Sequence, residues 1–69
     1  MSASNVVKVN ILGQEYVIRT SADPAYIKEV AAYMNEKMDE LIASGIDANS
    51  QQLKIAVLAG MNITDELFA

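Results

Sequence analysis

Apolar and polar side chains alternate along residues 6–20, and this pattern predicts a β-hairpin. The apolar positions of the two predicted strands are Val7, Val9, Ile11, Tyr16 and Ile18. A period of two is what a strand with one buried face requires. Gly13 in the first central position of a two-residue loop predicts a type II′ turn, because glycine accepts a positive φ.

This turn also predicts the register of the hairpin. A loop centred on Gly13 and the next residue places Ile11 opposite Tyr16 and Val9 opposite Ile18. These four side chains then share one face, so turn and pattern agree.

The next pattern is that of an amphipathic helix of about twenty residues. Asp23 is a suitable N-cap, and the proline after it suits the first helical position. Gly45 predicts the end of the helix, with Ile46 folding back on Leu41 in a Schellman motif. Apolar residues recur at spacings of three and four at Ile27, Val30, Ala31, Met34, Met38, Leu41 and Ile42.

A second helix follows, for which Asn49 and Gln52 resemble a capping box. It is apolar almost all round between Ile55 and Met61. Such a helix must be buried on more than one side. We expect the rest of the chain to cover one side and a second copy, or another partner, to cover the other.

Small residues mark one stripe of this second helix, formed by Ala56, Gly60, Ile63 and Leu67. Small side chains let another helix approach closely, so we interpret the stripe as a helix–helix seam between subunits. The alternative is an ordinary core face packed on the first helix. The predicted dimer interface as a whole comprises Leu53, Ala56, Val57, Gly60, Ile63 and Leu67.

The order strand, strand, helix, helix predicts an α+β fold of ββαα type. We expect a disordered N-terminus over residues 1–5 and a globular head over residues 6–48. Residues 49–69 would then begin a long dimerisation helix. No glycine, proline or terminal basic residue follows Leu67, so we expect the natural protein to continue into a coil.

Composition narrows the classes of function. The chain has 69 residues, neither cysteine nor histidine, and a net charge of −4. Chains of this size usually need a disulfide, a metal or oligomerisation, and the first option is absent. The negative charge argues against general nucleic-acid binding. No signal peptide and no apolar run of membrane-spanning length is visible, so we expect no membrane insertion.

No catalytic constellation is visible, and we expect neither enzyme activity nor a cofactor. The serines lack the histidine that usually activates a nucleophile. Glu36, Asp39 and Glu40 cluster on one helical face, but no glycine-bearing loop accompanies them, so a solvated surface is favoured over a metal site.

Lys8 and Arg19 lie opposite each other in the predicted hairpin register. They are either two solvated charges or a small basic spot on an acidic molecule, suited to an acidic partner segment. Lys37 would extend this spot only if the fold brings it near.

Three segments together resemble the bacterial cell-division protein ZapA family. They are the hairpin at residues 9–18, the helix opening at 23–27 with residues 31–38, and residues 54–67. The last segment reads KIAVLAGMNITDEL, close to the family's usual "KIAVLAALNIADEL". Gly60 stands where the family usually has alanine.

The resemblance implies a globular head followed by a C-terminal coiled coil, a homodimer that can pair into a tetramer, and no enzyme activity. It also implies binding to FtsZ, a tubulin-like GTPase, at the mid-cell division ring in the cytoplasm. We expect the FtsZ contact to include Lys8, Gln14, Arg19 and Lys37. The alternatives are a small homodimeric nucleic-acid-binding protein and a bare oligomerisation domain.

Overall fold

The computed structural model describes residues 4–69 and confirms the α+β fold with the order strand, strand, helix, helix. Strand β1 spans Asn5–Ile11, β2 spans Gln14–Thr20, helix α1 spans Pro24–Ala43 and α2 spans Gln52–Phe68. Within residues 4–69 the elements pack in series, β2 on β1, β1 on α1 and α1 on α2. The molecule is therefore flat, with extents of 46 × 30 × 16 Å.

The structure describes only part of the N-terminal segment that was predicted to be disordered. Of the predicted disordered residues 1–5, residues 1–3 lie outside the described residues. Asn5 is already the first residue of β1 and pairs with Thr20. Its side-chain nitrogen donates a hydrogen bond to the carbonyl oxygen of Ala22 at 3.1 Å.

The predicted hairpin register is wrong by two residues. Val9 lies opposite Tyr16, not Ile18, and Ile11 lies opposite Gln14. The loop consists of Leu12 and Gly13, with φ of 53° and 75°. Two positive φ angles are typical of a type I′ turn rather than the predicted type II′. Since the error is an even number of residues, the apolar set still shares one face.

The turn depends on a leucine in the left-handed region, where a non-glycine residue costs about 1–2 kcal/mol. Asn35 of α1 offsets this cost from both sides of the turn. Its Oδ1 accepts the Leu12 backbone N–H at 3.2 Å, and its Nδ2 donates to the Asn10 carbonyl oxygen at 2.7 Å. The Leu12 side chain also packs on buried Met38. These contacts fix the hairpin tip on α1.

The predicted ends of α1 are confirmed. Asp23 Oδ1 accepts the Ala25 N–H at 2.9 Å, as an N-cap does. At the other end Gly45 has a φ of 111°, and the Ile46 N–H donates to the Leu41 carbonyl at 3.3 Å. This is the bond that defines a Schellman motif.

The predicted capping box of α2 is wrong. The helix begins at Gln52, and Gln51 precedes it without a side-chain cap bond. Asn49 instead donates its backbone N–H to Asp47 Oδ1 at 2.8 Å. A local turn before the helix therefore uses the Asn49 N–H, which the capping box would have needed.

Two small clusters of buried side chains form the core. Val7, Val9 and Ala31 pack between β1 and α1, and Met38, Ile55 and Ala59 pack between the two helices. Ile11 contacts both clusters. The hairpin tip is thereby joined to the cluster that α1 and α2 share.

Candidate functional site: two interaction surfaces

Helix α2 has one face that α1 covers completely. Ile55 and Ala59 are both 0% exposed and lie against Met38. Their spacing of four places them on one side of the helix. The burial shows that the chain covers one side of its most apolar segment by itself.

The opposite face of α2 carries a second apolar row that the chain leaves exposed. Residues two apart on a helix point about 200° away from each other, so Val57 lies opposite Ile55 and Met61 opposite Ala59. The exposed row, here called the outer stripe, consists of Leu53, Val57, Met61 and Phe68, with exposures of 79%, 51%, 64% and 82%. Beside it runs a groove of about 460 Å³.

The predicted small-residue seam lies between these two faces. Ala56, Gly60 and Ile63 are partly buried, and Leu67 is exposed. Gly60 and Ile63 line a groove of about 610 Å³ between α1 and α2, and Gly60 also lines the groove beside the outer stripe.

The predicted interface residues are therefore divided between two environments. Leu53 and Val57 belong to the outer stripe, whereas the small residues lie on the flank that faces α1. Neither a subunit contact nor a core face on α1 accounts for all six predicted interface residues. Their role between subunits stays a prediction.

Glycine at position 60 is not required by any contact among residues 4–69. A Cβ built on Gly60 meets no atom within 4 Å in the part of the chain that the structure describes. Glycine inside a helix costs about 1 kcal/mol relative to alanine. Nothing that the structure describes within a single copy offsets this cost.

A polar cluster joins the middle of α1 to the C-terminal end of α2. Lys37 Nζ lies 2.7 Å from Glu66 Oε1 and 3.5 Å from Glu40 Oε2. The Tyr33 hydroxyl donates to the Glu66 carboxylate, and Lys37 Nζ lies 5.2 Å from the centre of the Tyr33 ring. We call Tyr33, Lys37 and Glu66 the α1–α2 clasp.

The clasp shifts the pKa values of its members in the directions that its contacts require. The hydrogen bond from Lys37, followed by that from Tyr33, lowers the pKa of Glu66. The hydrogen bond to Glu66 raises the pKa of Lys37 and also raises the pKa of Tyr33. The charged pair is thus favoured across the neutral pH range.

The predicted partner-binding residues do not form one group. Lys8 and Arg19 are exposed and lie on the hairpin face turned away from buried Val7 and Val9. Lys37 belongs to the clasp and faces α2. The structure therefore does not bring Lys37 to the hairpin spot, and its use by a partner would require Glu66 to release it.

The expected pairing of Lys8 with Arg19 is wrong, because it followed from the wrong register. Lys8 lies opposite Val17, and Arg19 lies opposite Val6. The two cations are diagonal neighbours on one face rather than directly opposed, which reduces their repulsion. Neither forms a salt bridge with any residue from 4 to 69.

Gln14 lies apart from the basic spot. It lines a shallow cavity of about 210 Å³ at the hairpin tip, which Leu53 at the start of α2 also lines. Two residues predicted for different partners, FtsZ and a second copy, therefore share one depression.

Sequence reasoning missed two partners that are distant along the chain. Asn35 supports the hairpin turn across 23 residues, and Glu66 meets Tyr33 across 33 residues. Neither pair has a helical or strand spacing, so the periodicity of the sequence gave no signal for them.

Two other kinds of site are absent from residues 4–69. There is no cluster of three potential metal ligands and no helix long and apolar enough to span a membrane.

Comparison with known proteins gives a consistent family assignment. A protein from Shouchella clausii named "Cell division protein ZapA" is 48% identical over 58 residues, covering 84% of this chain and 72% of that protein. Proteins of the same name from Pseudomonas aeruginosa and Halalkalibacterium halodurans are 38% and 37% identical, over 97% and 86% of this chain.

The chain spans 64% and 63% of the length of the latter two relatives. No solved structure matches it. The sequence profile described as "Cell division protein ZapA" matches residues 7–69, which include most of the hairpin and both helices. The chain therefore belongs to the ZapA family of cell division proteins.

Proposed function

We propose that this chain is a non-enzymatic division regulator that forms a homodimer through α2, binds FtsZ through the hairpin, and promotes alignment or bundling of FtsZ filaments. It would act in the cytoplasm at the mid-cell division ring. Its family supports a role in division, and the exposed apolar row on α2 and the basic spot on the hairpin support the two proposed contacts.

The outer stripe is the observation that carries the proposal. Four large apolar side chains in a row on one helix are exposed, although the same helix buries Ile55 and Ala59 fully. An extended apolar patch on a small soluble protein is typical of an interaction site. The α2 helix of a second copy is the simplest partner, because the contact would bury the outer stripes of both copies at once.

The hairpin supplies the proposed FtsZ contact. Lys8 and Arg19 form a local basic spot on a chain whose net charge is −4. A basic spot steers an acidic partner such as FtsZ to one face of the molecule. Gln14 and Lys37 complete the proposed set, with Lys37 available only on release from Glu66.

Dimerisation would link two such hairpins in one particle. Two linked contacts bind a filament, or two filaments, more strongly than single contacts do, because the second binding step becomes intramolecular. Alignment of filaments would follow from this geometry without any catalytic step.

Co-sedimentation with FtsZ polymers tests the proposal. Lys8→Glu should weaken binding several-fold, up to about tenfold, because a contact charge is reversed. Lys28→Glu is the matched control, since it makes the same charge change on α1, at another exposed lysine. Equal binding by wild type and Lys8→Glu would contradict the hairpin contact, and absence of wild-type binding would contradict the function.

A further inference from the structure

Strand β2 has an outer edge whose backbone groups point away from β1. In an antiparallel hairpin, hydrogen-bonded and non-hydrogen-bonded pairs alternate. The two-residue turn makes Ile11 and Gln14 a hydrogen-bonded pair. The pairs that Glu15, Val17 and Arg19 form with β1 are therefore non-hydrogen-bonded, and the backbone groups of these three residues point outward. The Asn10 carbonyl, opposite Glu15, agrees with this alternation, because it bonds Asn35 rather than β2.

No other element covers this edge. Among residues 4–69, β2 pairs with β1 alone, and no hydrogen bond from elsewhere in this range reaches the backbone of Glu15, Val17 or Arg19. The strand is seven residues long and contains no proline. A long unprotected edge of this kind is a template for another strand.

The sequence of β2 is complementary to itself when two copies run antiparallel. With Val17 opposite Val17 of a second copy, Glu15 of each copy lies opposite Arg19 of the other. On the other face Tyr16 lies opposite Ile18. Opposite charges and aromatic–β-branched pairs are both stabilising across strands.

Other registers lose this match. Centring the pair on Glu15 or on Arg19 places like charges directly opposite each other, which is destabilising. Shifts between these positions leave Glu15 and Arg19 opposite uncharged residues. The charge pattern therefore favours one register and favours a second copy over an unrelated peptide.

We propose that β2 pairs with β2 of a second copy to form a continuous four-stranded antiparallel sheet, with Val17 at the two-fold axis. Three hydrogen-bonded pairs would supply about six backbone hydrogen bonds. The axis is perpendicular to the sheet, so both α1 helices lie on the same side. This contact uses residues separate from the outer stripe and does not require the dimer formed through α2.

A single engineered cysteine tests the contact, because the chain contains none. In the proposed pair the two Val17 Cα atoms are about 5.5 Å apart, within the range of a disulfide. Val17→Cys should form a covalent dimer on mild oxidation. Val6→Cys is the matched control: Val6 is 57% exposed against 62% for Val17, on the same hairpin face but on β1.

The control separates this contact from the dimer through α2. If α2 alone joins the subunits, the two cysteine variants should cross-link equally slowly while light scattering still gives a dimer. That result would overturn the sheet contact and leave the proposed function intact. Rapid cross-linking of Val17→Cys alone would support the sheet even if the α2 dimer were disproved.

Charge reversal provides an independent test. Glu15→Arg and Arg19→Glu should each weaken the Val17→Cys cross-link about tenfold, because two attractive pairs become repulsive. An equimolar mixture of the two variants restores opposite charges at both positions, so mixed dimers should form at the original rate. Failure of the mixture to cross-link would contradict the proposed register.

Discussion

The two faces of α2 have the same apolar chemistry and opposite surroundings. Ile55 is fully buried against Met38, whereas Val57, two residues later, is 51% exposed. Both belong to a segment that is apolar all round, so composition does not distinguish them. What distinguishes them is which side of the helix α1 occupies.

Apolar periodicity identifies residues that favour burial but does not show which element or partner covers them. The inner face is buried by α1 of the same chain. The outer stripe is left exposed by residues 4–69, which is unfavourable for an isolated copy. Each of the following predictions changes one of the two faces, or the boundary between them.

The largest effect is expected on the inner face. Ile55→Ala leaves a cavity beside Met38 and should lower the free energy of unfolding by about 2–5 kcal/mol. A domain of this size has little more stability than that, so the variant should be largely unfolded. Circular dichroism during urea unfolding measures it in a Met61→Glu background, which weakens the proposed dimer, so that Val57→Ala serves as the matched control on the exposed face. Equal losses in the two variants would contradict the distinction between the faces.

The second prediction concerns the outer stripe. Met61→Glu should change the stability of the single copy by less than about 0.5 kcal/mol, as exposed substitutions usually do. It should weaken self-association at least tenfold, because a charge would be buried between subunits. Analytical ultracentrifugation gives the dissociation constant, and Asn62→Glu is the control that adds the same charge at an exposed position of α2 outside the stripe. A dimer unaffected by Met61→Glu would place the interface elsewhere.

The third prediction concerns Gly60, at the boundary of the two faces. Gly60→Ala should stabilise the single copy by up to about 1 kcal/mol, since helix propensity improves and the added Cβ meets no atom. If a second helix packs on this position, the same change should weaken the dimer. Thermal unfolding over a range of concentrations separates the two effects. Destabilisation of the monomer itself would show that Gly60 is needed within the chain.

The smallest effect is expected from the α1–α2 clasp, which lies near the surface. The pKa of Glu66 is lowered from 4.5, so its contribution is present above about pH 4.5 and is lost as pH falls. The pKa values of Tyr33 and Lys37 are raised from 10.0 and 10.5, so their contributions are lost as pH rises beyond these values.

Glu66→Gln should therefore flatten both limbs of a plot of melting temperature against pH. Glu36→Gln removes an exposed carboxylate of α1 that is outside the clasp, and should leave the alkaline limb unchanged. Identical pH profiles for wild type and Glu66→Gln would show that the clasp does not contribute to stability.

Local patterns predicted the elements well and their long-range contacts poorly. The N-cap at Asp23 and the Schellman motif at Gly45 depend on neighbours within six residues, and both were predicted. The register was wrong because the observed turn uses Leu12 at a positive φ, a choice that depends on Asn35 of a different element. Nothing in the residues around the turn shows this dependence.

The candidate surfaces divide in the same way. The need to cover a second side of α2 followed from its sequence alone. Which residues remain exposed followed only from the position of α1, which places Ala56 and Gly60 on a flank and leaves Met61 outside. The separation of Lys37 from Lys8 likewise depends on Glu66, a partner too distant along the chain for any spacing rule.

Solution mass measured by light scattering across a range of concentrations tests the central claim most directly. If a second copy covers the outer stripe, the mass should be at least twice the 7.5 kDa of the chain and should persist on dilution, and Met61→Glu should lower it. A folded monomer at all concentrations would contradict the claim, because the outer stripe would then be stable while exposed to water.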